Sequence, residues 1–257
     1  MRILRYRSNG EASYGILEKD NSIRQLIGSP FDEFDVGPEV AQLGQVQTLA
    51  PVEPQKIICV GLNYQAHIQE TGLPTPEFPM LFMKPLTAMV GPGEPIVYPR
   101  KGREVEYEGE LVAVIGRVAK NVPEELALEY VLGYTCGNDV SERAIQRAEM
   151  KNGAMLISKG FDTFCPLGPA IATRLDPTNL DLTTRLNGET RQQTNTSDML
   201  FSVAQLVSYI SEAILLLPGD VIMTGTPSGI GPMASGDVAE VEISGIGVLR
   251  NPVTGEE

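Results

Sequence analysis

Between Lys56 and Thr224 the chain breaks repeatedly into short β-branched or apolar runs closed by glycine or proline. These are Lys56 to Val60, Met80 to Met83, Ile96 to Tyr98, Leu111 to Ile115 and Asp220 to Thr224. Runs this short, bounded by turn formers, read as strands. Residues 1 to about 49 add Arg2 to Arg7, Ala12 to Leu17 and Ile23 to Ile27, separated by polar turns. Three helix signals stand against them. Pro123 is followed by Glu124 and Glu125, and proline and acids favour a first helical turn. A second helix starts near Ser141 and carries Arg143, Ile145, Gln146 and Arg147. A third runs from about Phe201 to Leu216, with Ser202 and Gln205 at capping-box spacing. Strands outnumber helices and do not alternate with them. That disfavours a doubly wound or barrel α/β fold and predicts a mostly β architecture with a few covering helices. Leu49-Ala50-Pro51-Val52-Glu53-Pro54 is rich in proline and predicts a boundary, with a small N-terminal β domain over 1–50 and a larger domain over 55–257.

A chain of 257 residues, 42% hydrophobic and 21% charged, can bury a large core. Lys and Arg total 20 against 33 Asp and Glu, for a net charge of −13. This balance lacks the electrostatic footprint of a nucleic-acid or anionic-membrane binder. It leaves a small anionic substrate open, because a metal ion or a lysine can reverse the sign inside a pocket. No apolar stretch follows Met1-Arg2-Ile3-Leu4, so no secretory signal is expected, and Ala213 to Leu217 is too short to span a bilayer. Cys59, Cys136 and Cys165 are odd in number and widely spaced, which predicts free buried thiols in a reducing cytoplasm.

His67 is the single histidine. Glu70 follows three residues later, the spacing that places two side chains on one face of a helical turn. The pair reads either as a surface histidine beside an unrelated glutamate or as a base with a carboxylate that orients it. Glu104, Glu106, Glu108 and Glu110 pack into seven residues before an apolar strand. In a strand Glu108 and Glu110 share a face, ~7 Å apart along the backbone, and can converge on one cation. The alternative is a solvated acidic edge that discourages strand pairing. A third acid, Asp139, precedes the second helix, and three carboxylates suit Mg²⁺, Mn²⁺ or Ca²⁺ rather than Zn²⁺. Lys159, between an apolar stretch and a glycine, reads as a surface lysine at a strand end. Near the acids it would instead offset their charge and attract an anion. The segment Gly219 to Gly231 is a strand running into a tight loop. It is neither a P-loop, lacking Gly-Lys-Ser/Thr, nor a dinucleotide fingerprint, since Pro227 breaks the context. Its amides and the Thr226 hydroxyl either bind a carboxylate or form a plain turn.

Taken together, these segments resemble the fumarylacetoacetate hydrolase family. The likeness runs from Val60-Gly61-Leu62-Asn63-Tyr64 with His67 and Glu70, through Tyr107-Glu108-Gly109-Glu110-Leu111, Asn138-Asp139-Val140-Ser141 and Lys159-Gly160-Phe161-Asp162-Thr163. It continues to Asn187-Gly188-Glu189, Pro218-Gly219-Asp220 and Thr224-Gly225-Thr226-Pro227. It covers about residues 55 to 253. The resemblance implies a mixed β-roll catalytic domain, a small variable N-terminal domain and a homodimer. It implies a divalent cation, Mg²⁺ or Mn²⁺, on Glu108, Glu110 and Asp139, and a water-activating dyad of His67 and Glu70 in a lid. It further implies an active-site Lys159, with Arg143, Gln146 and Thr226 facing a small anionic keto-acid substrate. Ala144 stands where many members have Asp, and the tryptophan that many carry before the lysine is absent. Both departures touch the pocket wall. The expected activity is hydrolysis of a carbon–carbon bond in an acylpyruvate-like β-diketo acid. Oxaloacetate decarboxylation and dienedioate isomerisation are alternatives on the same site, and a non-catalytic metabolite-binding protein is a further one.

Overall fold

The structure is a computed structural model that describes residues 1–256. A twelve-stranded sheet dominates it. Its main path runs Phe34–Gln42, Ser22–Gly28, Glu11–Leu17, Arg2–Ser8, Cys165–Ala172, Val131–Asn138, Gly109–Ile115, Val221–Met223, Ile57–Gly61 and Met80–Lys84. A five-stranded sheet carries Glu189–Asn195, Asp181–Leu186, Val238–Ile243, Gly247–Gly255 and Ile96–Tyr98. A small three-stranded sheet joins Ser141–Glu142, Val105–Tyr107 and Gly231–Pro232. The fold is mostly β, as the short punctuated runs require. No helix among the described residues is long and apolar enough to cross a membrane.

The apolar run Leu111 to Ile115 is buried on both faces, which is why it reads as continuous rather than alternating. Leu111, Ala113 and Ile115 point into a core shared with Leu182, Val241 and Leu249 of the five-stranded sheet. Val112 and Val114 point the other way, against Ile57, Cys59, Cys165 and Leu167. Helix α4 (Val203–Ala213) covers the first core with Val203, Leu206, Val207 and Ile210, one stripe of a 3.6-residue period. Ser202 and Gln205 form the expected capping box at its start. Helix α2 (Arg143–Met150) lies where the second helix signal placed it, capped by the Glu142 carboxylate on the Ile145 amide at 2.5 Å. The Pro123 signal corresponds to a 3₁₀ helix, Glu124–Tyr130, that passes directly into the strand Val131–Asn138. Two further short helices are present: α1 (Gln65–Thr71), which bears the His67–Glu70 helical spacing, and the one-turn α3 (Leu156–Lys159). Lys159 therefore closes a helical turn, not a strand.

The N-terminal segment is a four-strand meander whose first strand joins the rest of the twelve-stranded sheet through Cys165–Ala172, Arg2 opposite Ala172 and Ile3 opposite Ile171. Buried Asp220 fixes the connector that follows. Its carboxylate accepts from the amides of Gln55 (3.2 Å), Lys56 (2.9 Å) and Leu217 (2.7 Å), and the Lys56 ammonium lies 2.6 Å away. Three backbone donors and a cation depend on this one side chain. Asp220→Ala should therefore destabilise the fold by about 3 kcal/mol, read as a lower urea midpoint. The three cysteines are free and buried. Burial pushes all three thiols up, Cys165 to about 12. Iodoacetamide at pH 8 should leave the native protein unmodified and label all three thiols in denaturant, counted by intact mass.

Candidate active site

Strand register builds the acidic cluster. Gly109 pairs with Asn138 across the antiparallel ladder, so Glu108 and Asp139 sit side by side just beyond its end. The Asn138 carboxamide accepts from the Glu108 amide (2.9 Å), and the Asp139 amide donates to the Glu108 carbonyl (2.8 Å). Glu110 follows on the strand itself. A carboxylate oxygen from each of Glu108, Glu110 and Asp139 lies within 4.8 Å of the other two, and all three residues are buried. Gly109 is required between the acids, because a Cβ there would fall 2.0 Å from the Thr184 hydroxyl of the neighbouring sheet. The solvated-edge reading is set aside by this burial.

Three cations surround the cluster. Lys159 Nζ lies 2.7 Å from Glu108 Oε2 and 2.7 Å from Asp139 Oδ2, and 5.2 Å from the centre of the Phe82 ring. Arg143 bridges Glu106 (2.6 Å) and Glu108, and donates to the Gln146 carbonyl oxygen at 2.6 Å. Lys84, which sequence reading passed over, lies 2.7 Å from Asp139 Oδ1 and donates to the carbonyls of Val140, Lys159 and Phe164. One ammonium thus ties together the end of its own strand, the Asp139 turn and the end of α3.

Four carboxylates (Glu106, Glu108, Glu110, Asp139) face these three cations, leaving one negative charge in excess. The excess is localised. Burial works to raise the Glu108 pKa, but Arg143 and Lys159 outweigh it and hold the carboxyl well below its ordinary range. Burial and then the charges of Asp139 and Glu108 push Glu110 well above it. Burial opposes the charge on Lys159, yet Asp139 and Glu108 raise its pKa. Among the described residues no ion pair reaches Glu110, whose Oε2 accepts only from the Gly225 amide (2.8 Å). A buried carboxylate crowded by two others, with no protein cation on it, fits a divalent ion bound by oxygen donors.

Helix α1 carries His67 and Glu70. His67 Nδ1 lies 2.9 Å from Glu70 Oε2. An ionised carboxylate only accepts, so Nδ1 carries the hydrogen and Nε2 remains an acceptor. Glu70 Oε1 accepts from the Gly229 amide at 2.9 Å, which fastens α1 to the loop after Met223. The helix is entered through Leu62 at φ +54°, an uncommon conformation for a branched residue, and left through Gly72 at φ +67°. Asn63, part of the matching stretch but given no role there, clamps this entry by accepting from the Phe201 amide and donating to the Phe201 and Thr224 carbonyls.

Arg143, Gln146, Lys159, His67, Thr226 and the three acids line one cavity, with Glu70 behind His67. The structure thus brings together every residue expected at the site. Thr226 is more constrained than a free hydroxyl: it donates to the Gly109 carbonyl (3.0 Å) and accepts from the Gln192 amide (2.8 Å). Gln192, which had no local sequence signal, also accepts from the Gly109 amide at 2.9 Å.

Residues 56–254 match the family described as fumarylacetoacetate (FAA) hydrolase C-terminal, and residues 1–51 match the one described as Rv2993c-like, N-terminal. The chain belongs to the fumarylacetoacetate hydrolase family. It is similar to the 5-carboxymethyl-2-hydroxymuconate delta-isomerase of Mycobacterium smegmatis, with 43% identity, all of both chains covered and a TM-score of 0.92. It is 41% identical to the mitochondrial oxaloacetate tautomerase fahd2 of Xenopus laevis, over 92% of this chain and 76% of that protein. A maleylpyruvate hydrolase from Sphingobium sp. SYK-6, solved with manganese(II) and pyruvate, is 30% identical with a TM-score of 0.81, all of both chains being covered. These relatives make the chain a member of an enzyme family that includes isomerase, tautomerase and hydrolase activities.

The crowding at Glu110 has a measurable sign. A carboxyl whose folded pKa exceeds its unfolded value favours folding while protonated, a contribution lost as pH rises through the folded pKa. At neutral pH an ionised Glu110 therefore costs stability when no cation is bound. Glu110→Gln in a chelator should melt a few degrees above the native chain, and it should lose the stabilisation that added Mn²⁺ gives the native chain. Parallel melts with chelator and with Mn²⁺ check both halves.

Proposed function

We propose that this protein is a divalent-metal-dependent enzyme acting on a small 2-oxo acid, and that its reaction is hydrolysis of the carbon–carbon bond of an acylpyruvate-like β-diketo acid. The observation that carries this reading is the His67–Glu70 pair set in the same cavity as three buried carboxylates. Glu108, Glu110 and Asp139 would hold Mg²⁺ or Mn²⁺, which supplies a Lewis acid that polarises the 2-oxo carboxylate and favours negative charge on it. His67 Nε2 takes a proton from water, and Glu70 stabilises the imidazolium that results. The water attacks the distal carbonyl, whose oxygen the Gln146 amide is placed to receive. Lys159, held between Glu108 and Asp139, offsets the charge left on the pyruvate fragment as the bond breaks. His67 then returns its proton to that fragment.

A second reading is favoured by the relatives at 41% and 43% identity, which are named as a tautomerase and an isomerase. There His67 exchanges a proton with the substrate carbon directly and no water enters. The net charge of −13 and the concave site with its buried acids argue for a free small molecule rather than a polymer. A homodimer and a cytoplasmic location complete the proposal.

His67→Ala should lower turnover by roughly 10²–10⁴-fold while Mn²⁺ affinity, by calorimetry, stays within two-fold. A native rate in this variant would sink the dyad. Acetylpyruvate, keto- and enol-oxaloacetate and a hydroxydienedioate, each followed in the ultraviolet with Mg²⁺ present, separate the two readings: loss of acetylpyruvate with release of pyruvate and acetate supports hydrolysis.

A further inference from the structure

The cavity wall changes character along its length, and it does so on two helices at once. On α2, Arg143, Gln146 and Met150 occupy positions i, i+3 and i+7, one stripe of the helix facing the cavity. At 1.5 Å per residue the stripe rises ~10 Å along the helix axis from Arg143 to Met150. On and just beyond α1, His67, Thr71 and Leu73 also line the cavity, from buried His67 to exposed Leu73. Each wall thus begins with a charged or titratable group beside the carboxylates and ends in an apolar side chain towards the solvent.

Between the two ends sits the amide of buried Gln146. Its oxygen is taken by Arg143 at 2.6 Å, and its Nε2 has only the Met155 thioether, at 3.7 Å, as a partner. Sulfur of this kind is a weak acceptor, so a strong donor is left to a ligand oxygen at mid-cavity. Beyond it the lining is Met150, Met155 and Leu73. Thioethers and leucine fit flexible hydrocarbon and offer nothing to an anion. The cavity's fixed cations, Arg143 and Lys159, are both bonded to Glu108 at the opposite end.

We infer that this distal, methionine-lined end is a specificity subsite for a neutral, aliphatic substituent, so that the chain selects 2-oxo acids with an apolar tail over dioic acids of the same length. The inference rests on the 2-oxo acid reading above and deepens it. A terminal carboxylate there would give up part of its hydration against thioethers and leucine, and the two cations that line the cavity are both engaged with Glu108. A methylene would instead remove apolar area from water.

The test needs no turnover. Saturated 2-oxo acids are titrated calorimetrically into the Mn²⁺-loaded protein: 2-oxobutanoate, 2-oxohexanoate, and 2-oxoadipate, which matches 2-oxohexanoate in carbon number. Affinity should rise roughly four-fold per added methylene. 2-Oxoadipate should bind on the order of ten-fold or more weaker than 2-oxohexanoate. Met150→Lys, at the half-open mouth, should reverse that order, with circular dichroism checking the fold. If 2-oxoadipate binds the native protein as tightly as 2-oxohexanoate or more so, the apolar subsite is overturned and the 2-oxo acid reading stands. An unchanged order in a folded Met150→Lys overturns the placement of the subsite. If none of the three acids binds, both readings fall together.

Discussion

Everything at the site depends on one antiparallel register, Gly109 opposite Asn138. It sets Glu108 beside Asp139 and leaves Glu110 on the same face one residue into the strand. A slip by one residue would turn Glu110 into the core and carry Leu111 to the cluster. The glycines in this strand pair enforce the match. Gly109 admits the Thr184 hydroxyl, and a Cβ at Gly137 would meet Val112 at 2.5 Å. The chain thus holds like charges together by packing, and the three cations nearby do not fully compensate them. A protein without use for a divalent ion would gain stability by losing Glu110, which is the physical ground for reading the cluster as functional.

Much of this was legible in the sequence because the relevant signals are local. The strand from Gly109 to Ile115 carries an unbroken apolar run, Leu111 to Ile115, and the cap of α4 is a Ser-x-x-Gln pair; both are set by neighbours in the chain. The strands Val131–Asn138 and Cys165–Ala172 were not read, for a complementary reason. Gly133, Gly137, Pro166, Gly168 and Pro169 interrupt their apolar pattern. Yet Gly133 is there because a Cβ would fall 2.5 Å from the Ala172 carbonyl of the paired strand. Close approach between strands is a tertiary demand, and locally it looks like a turn.

The side chains of the site divide in the same way. Acids in a tight sequence cluster, and the single histidine, draw notice by number alone, and resemblance to a family ordered them. Lys84, Gln192 and Asn63 act through backbone groups far away in sequence: Lys84 on Val140, Lys159 and Phe164, Gln192 on Gly109 and Pro227, Asn63 on Phe201 and Thr224. No spacing rule within the chain marks a residue whose partners lie tens to hundreds of positions off. These three hold functional groups in place, and of them only Asn63 lies in a stretch that carries the resemblance.

The loop after Met223 has two attachments. The Gly225 amide holds Glu110, and four residues later the Gly229 amide holds Glu70 and through it His67. The loop therefore acts as a ruler between the acidic cluster and the base, and its length, more than either end, fixes how far the base stands from whatever the cluster grips. Two relatives with identical acids and the same histidine could then present that histidine to different atoms of one bound acid simply by lengthening or shortening this span. In such a scaffold, a change of reaction would be a change of distance.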